Sequence, residues 1–168
     1  MTENNQTNND HDQEDVSLYE KFISRTEELI DSGRKNFDEA LKKAGEELTA
    51  AGNFTREQAD KVSAFVKRDV RHAIDHAEKT GENIKEAVDP KRVAAGAQSL
   101  FARILSSAAG TLNEWAQKSE QQVEFKTGEV TSPGTLTCKN CGEQLHMKKT
   151  ARIPPCPACH MTLYRKSY

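Results

Sequence analysis

The chain has 168 residues, 35% of them hydrophobic and 30% charged, with a formal net charge of -2. That length holds one ordinary domain, or a helical body with a small appendage, and excludes two conventional domains. The lean apolar content suits exposed amphipathic helices better than a thick core, and no apolar run is long enough to span a membrane.

Residues 1–15 are Asn, Gln, Asp and Glu with almost no apolar side chains. They read as a disordered tail, because they bury too little surface to offset the entropy of ordering. They also lack the basic-then-apolar pattern of an export signal, so a soluble, cytoplasmic protein is expected. A helical body follows over residues 16–122. Ile23, Ile30, Phe37 and Ala44 recur every seven residues, flanked by Phe22, Leu29, Leu41 and Leu48, which predicts one helix over about 17–51. Ser17 and Glu20 make a capping-box start, and Gly52-Asn53 supplies a stop. Thr55 and Gln58 form a second capping box ahead of Val62, Phe65, Val66, Val70 and Ile74, which predicts a helix over 55–79. Thr80-Gly81 reads as a break, and Asp89-Pro90 opens a third helix over 90–121 with its apolar face at Val93, Leu100, Phe101, Ile104, Leu112 and Trp115. The expected fold is mainly α: a long antiparallel helical bundle or helical hairpin, then a small C-terminal β unit. A self-associating coiled coil is the competing use of the same stripes, so a homo-oligomer through the helices is a second possibility.

From Val123 the apolar period shifts towards two, and all four cysteines of the chain fall in residues 123–168. They make two hooks, Cys138-Lys139-Asn140-Cys141 and Cys156-Pro157-Ala158-Cys159, set between short extended segments in the order of a zinc ribbon. Four thiolates close a tetrahedral shell and leave no open position for water, so Cys138, Cys141, Cys156 and Cys159 point to one structural Zn2+. A four-thiolate cage also accepts iron, which would colour the protein red, but zinc is favoured. A thioredoxin-type relay needs a Cys-x-x-Cys that opens a helix, and no such helix is predicted here. His146 and His160 lie beside a full sulfur shell and are assigned to the surface or the second layer around it, while His11, His72 and His76 receive no role.

The net charge hides an asymmetry. Residues 1–122 carry 17 Lys and Arg against 23 Asp and Glu, and residues 123–168 carry 7 against 3. Basic and aromatic residues interleave in the ribbon, at Phe125-Lys126, Lys148-Lys149, Arg152, Tyr164-Arg165-Lys166 and Tyr168. The plainer reading is a solvated face with the aromatics in the core; the sharper one is a surface for single-stranded nucleic acid or a protein, although four thiolates around a divalent ion remove about two of the positive charges. No phosphate loop, nucleophile elbow or paired acid motif occurs, so no catalytic residue is assigned and an enzyme is not expected.

The segments Asn53 to Val62, Val66-Lys67-Arg68-Asp69, Gly128-Glu129-Val130-Thr131, Gly134 to Cys138 and Ile153 to Pro157 resemble the zinc-ribbon-containing, YbeL-like family of uncharacterised bacterial proteins. The resemblance implies zinc ligation by Cys138, Cys141, Cys156 and Cys159, and it implies no activity. One departure is His160, where the second hook of a ribbon usually has Gly. Three functions are consistent with these features: a zinc-binding adaptor that presents surfaces to a protein partner, a nucleic-acid-binding accessory protein, and a thiol sensor that ejects zinc on oxidation.

Overall fold

The computed structural model describes residues 3–33, 36–80, 104 and 123–167. Within them run three helices, α1 (Glu3–Asp31), α2 (Phe37–Ala50) and α3 (Arg56–Thr80), and six short strands, β1 (Phe125–Lys126), β2 (Val130–Thr131), β3 (Gly134–Cys138), β4 (Gln144–Met147), β5 (Ala151–Arg152) and β6 (Leu163–Ser167). The third helix expected over 90–121, with the turn before it, lies outside the described residues except for Ile104, which is helical and fully buried.

The helix expected over 17–51 is two helices. Gly33, at φ 67°, ends α1 with its amide on the Ile30 carbonyl, and Asn36 starts α2 by accepting the Glu39 amide on its side chain at 2.9 Å. The seven-residue period runs unbroken through this turn because both helices face the same core. Phe22 of α1 lies against Gly45 of α2 and Arg25 pairs with Glu47, so α2 folds back along α1. Asn36 followed by Glu39 was the overlooked start signal. The expected disordered tail also differs, since α1 begins at Glu3. Its packed part from Val16 onward supplies the nucleus, and helix then extends at the small cost of propagation. Asp15 is held by an ion pair with Arg152. The second capping box forms as read: the Thr55 amide donates to Gln58 Oε1 at 2.9 Å, and the Gln58 amide donates to Thr55 Oγ1 at 3.2 Å.

The helical core gathers Leu18, Tyr19, Phe22 and Ile23 from α1, Phe37, Leu41 and Ala44 from α2, and Val62, Val66 and Val70 from α3. Gly45 is the soft point of α2. A Cβ there would meet Phe22 at 3.5 Å, an ordinary contact, so Gly45→Ala should add about 0.5–1 kcal/mol of stability, read from the urea midpoint.

All strand pairings are antiparallel. One sheet runs β1-β6-β3-β4, and a second pairs β2 with β5. The expected long bundle with a separate ribbon is instead a mixed architecture, because the helices and the second sheet share a core: Val130 of β2 belongs to the helical cluster. The ribbon has its own smaller cluster of Phe125, Leu136, Cys138, Ile153, Cys156 and Tyr164, two of them cysteines of the hooks.

A buried polar cluster seats the ribbon on the helices. Asp69 of α3 is 0% exposed. Its Oδ2 accepts from the Tyr19 hydroxyl at 2.9 Å, Thr131 Oγ1 at 3.0 Å and the Ser132 amide at 2.6 Å, and its Oδ1 accepts from Arg68 Nε and Nη2 at 3.0 and 2.9 Å. Lys166 of β6 is also buried. Its Nζ donates to Thr131 Oγ1 at 3.0 Å, the Ser132 carbonyl at 2.8 Å and Ser132 Oγ at 2.6 Å, and stands 3.8 Å from Asp69 Oδ2. Arg68 completes the seat by donating to Glu129 and, at 2.9 Å, to the Val130 carbonyl, with its guanidinium 4.3 Å from the centre of the Phe125 ring. Burial alone would raise the Asp69 pKa, but Lys166, Arg68, the Ser132 amide and Tyr19 hold it below the usual carboxylate range. Burial brings Lys166 down to about 8 against the opposing pull of Asp69, with Arg68 adding to the fall.

Candidate metal centre

The two cysteine hooks are built alike, residue for residue. In the first, the Cys138 amide donates to the Glu143 carbonyl at 2.8 Å and the Gly142 amide returns to the Cys138 carbonyl at 3.1 Å. In the second, the Cys156 amide donates to the Met161 carbonyl at 3.0 Å and the His160 amide returns to the Cys156 carbonyl at 2.8 Å. The fifth residue of each hook must turn with positive φ to close this loop, and it does: 79° at Gly142 and 58° at His160. The amide two residues beyond the second cysteine then faces its sulfur, Glu143 on Cys141 and Met161 on Cys159. This turn, with amides aimed at sulfur, is what a Cys-x-x-Cys sequence needs to present two thiolates to one ion.

β3 and β6 bring the hooks together. Cys138 stands opposite Tyr164 in the sheet, and the Tyr164 hydroxyl donates to the Pro154 carbonyl at 2.9 Å, just ahead of Cys156. The four sulfurs lie within 4.8 Å of one another. Two pairs that cross between hooks, Cys138 with Cys159 and Cys141 with Cys156, each stand at 3.6 Å. A disulfide would need about 2.05 Å, whereas four thiolates at about 2.3 Å from a zinc ion stand about 3.8 Å apart. The donor set and spacing therefore fit zinc. When bound, the ion supplies a cross-link between the hooks. Among the described residues this is the one group of three or more His, Cys, Asp or Glu side chains placed to hold a metal.

The chain belongs to the zinc-ribbon containing domain family. Its match covers residues 24–167, which takes in the C-terminal end of α1, both other helices and the whole ribbon. Among curated relatives, the uncharacterized protein YbeL of Escherichia coli K12 is 24% identical over 147 residues, 86% of this chain and 90% of the relative, and the YbeL proteins of strains O6:H1 and O157:H7 match to the same extent. No solved structure matches.

The sulfurs of this family site are not equivalent. The Glu143 amide draws the Cys141 thiol down, but the neighbouring Cys159, partial loss of solvent around the sulfur, Cys156 and Cys138 together push it up to about 12. The Met161 amide leads in bringing Cys159 down to about 6. Cys138 and Cys156 are buried, Cys159 is half-buried and Cys141 is exposed. Burial first, and then the sulfurs of Cys156, Cys138 and Cys159, hold the Tyr164 phenol above its ordinary pKa.

No described histidine joins the four sulfurs as a ligand. His146 takes a 3.0 Å contact with Thr135 Oγ1 across the β3–β4 pair, and His72 packs edge-on against Phe125 at 5.2 Å. His160 is exposed and stands in the left-handed conformation that Gly would adopt without strain. His160→Gly should therefore keep its zinc and stabilise the ribbon by about 1 kcal/mol, measured as a rise in the chelator concentration needed to unfold it. Sequence reading missed the Asp69 cluster. Its parts are scattered through Tyr19, Arg68, Asp69, Thr131, Ser132 and Lys166, and the available signal was only that Val66 to Asp69 and Gly128 to Thr131 both carried the family resemblance.

Proposed function

We propose that this protein is a non-catalytic, zinc-dependent interaction protein: one structural zinc shapes the ribbon, and the ribbon and helices together present a surface to a protein partner. One observation carries the choice of a protein over a nucleic acid, namely that the described aromatic residues of the ribbon which could have stacked on bases are internal. Phe125 and Tyr164 are 0% exposed and offer no face for base stacking. Lys166 is buried against Asp69, Arg152 pairs with Asp15, and Lys139 pairs with Glu124 at 2.8 Å. The aromatic part of the surface read in sequence is therefore core and Lys166 and Arg152 are drawn into ion pairs, while Lys126, Lys148, Lys149 and Arg165 stay exposed. The concave face between α2 and α3 mixes signs as well, with Asp38, Glu46 and Asp60 beside Lys42, Arg56 and Lys67, which does not suit a phosphate backbone. No helix among the described residues is long and apolar enough to cross a membrane.

The closed four-sulfur shell is the ground for assigning no catalysis, because a water or substrate could reach the ion only by displacing a cysteine. The test is affinity purification with the full-length zinc-loaded chain as bait, at low and high salt and with and without nuclease, alongside the Cys141→Ser chain. A protein retained through high salt and nuclease, and lost with Cys141→Ser, is the expected result. Recovery of nucleic acid alone, falling steeply with salt, would replace this reading with a nucleic-acid-binding one.

A further inference from the structure

Neither the family assignment nor the proposed interaction role accounts for the fully buried ion pair that joins Asp69 of α3 to Lys166 of β6. Asp69 and Lys166 reach full hydrogen bonding only when the ribbon sits on α1 and α3. Lift the ribbon away, and Asp69 loses Thr131, Ser132 and Lys166 while Tyr19 and Arg68 stay with it on the helices. Two contiguous routes join this cluster to the cage. Along β6, Lys166 and Tyr164 share the inward face, and Tyr164 stands opposite Cys138 and donates to Pro154. Along the other route, Arg68 holds Glu129, whose carbonyl accepts the Ile153 amide at 2.9 Å, while the Gly128 amide donates to the Ile153 carbonyl at 2.8 Å. Ile153 is the residue that leads into the second hook.

We propose that zinc binding and the seating of the ribbon on the helices are one linked equilibrium, with Asp69 as a positioning residue that tightens zinc binding from α3 without touching the metal. Closing the cage aligns β6 and the approach to β2 so that Lys166, Thr131 and Ser132 meet Asp69. By linkage, the free energy of that meeting returns to the cage as zinc affinity. The consequence reaches the helices: loss of zinc uncovers the face of α1 and α3 around Tyr19, Val66 and Asp69 that β2 and β5 cover. This coupling requires no partner, so it stands or falls independently of the interaction role.

Two measurements on the full-length chain test it. The first is zinc affinity by competition with a chromophoric chelator. Asp69→Asn should weaken it about tenfold or more, and Tyr19→Phe, which removes one hydrogen bond and keeps the charge, about threefold, with far-UV circular dichroism showing the helices intact. The second is amide hydrogen exchange of the wild-type chain before and after chelation. Exchange should rise in α1 around Leu18–Thr26 and in α3 around Val62–Val70, as well as in the ribbon. Zinc affinity within 1.5-fold of wild type in the folded variants would overturn the proposal, as would helices whose exchange is unchanged when zinc is removed. If Asp69→Asn loses its helical signal, Tyr19→Phe and the wild-type exchange decide the matter.

Discussion

Replacing Cys141 with Ser should release the zinc and unfold the ribbon. The substitution is the cleanest probe of the site because Cys141 is exposed, so it removes a ligand without opening a hole in the core. The ribbon's own cluster is small, and Cys138 and Cys156 are part of it. A core of that size does not hold a unit of this length by itself, whereas structural zinc contributes roughly 10–16 kcal/mol in small finger peptides. In a nitrogen–proton correlation spectrum, amides of residues 123–167 should lose their dispersion, and bound zinc should fall well below one per chain. Most of the far-UV helical signal should persist, since the helical cluster draws nearly all its side chains from α1, α2 and α3. A metal-free variant whose ribbon stays fully dispersed would show that the fold does not depend on the site.

Lys166→Met should cost about 3–5 kcal/mol with zinc bound, the range expected when one member of a buried ion pair is removed and its partner stays charged. Met keeps a stem of similar length, so the loss reports the ammonium and its hydrogen bonds to Thr131 and Ser132. The comparison is Lys126→Met on an exposed strand position, which should change stability by about 0.5 kcal/mol or less. Urea midpoints at fixed zinc distinguish the two, and equal losses would contradict the account. The same cluster carries a pH signature. The folded Asp69 carboxyl sits below its unfolded value of about 3.9, so the stability it adds is present above that value and is lost as pH falls through the folded pKa. The advantage of wild type over Asp69→Asn should therefore be full near neutrality and shrink below about pH 4. Acid also protonates the thiols in both chains, so the difference between them, and not the wild-type curve alone, isolates Asp69.

How far the sequence could be read follows from the range of the interactions involved. Thr55 and Gln58 are three residues apart and could be read directly, as could the two cysteine hooks and the departure at His160. These features are local, and side-chain type with spacing is sufficient to specify them. The heptad through Ile23, Ile30, Phe37 and Ala44 was correct about which side chains are buried or half-buried and wrong about the element. A period reports a face and not the continuity of the backbone, and Gly33 with Asn36 broke the helix without breaking the face.

By itself, then, the sequence determined the four sulfurs, the turns that aim them and the apolar residues available for a core, because each of these rests on neighbours along the chain. Only the tertiary structure decided what becomes of the charges. Lys166 and Arg152 read in sequence as part of a basic surface, but their carboxylate partners are Asp69 and Asp15, up to 137 residues away along the chain. No local pattern encodes a pairing across that separation. Once made, these pairings take Lys166 and Arg152 out of that surface and into the seat that holds the ribbon against the helices, since a buried charge is tolerated only where a partner and hydrogen bonds meet it.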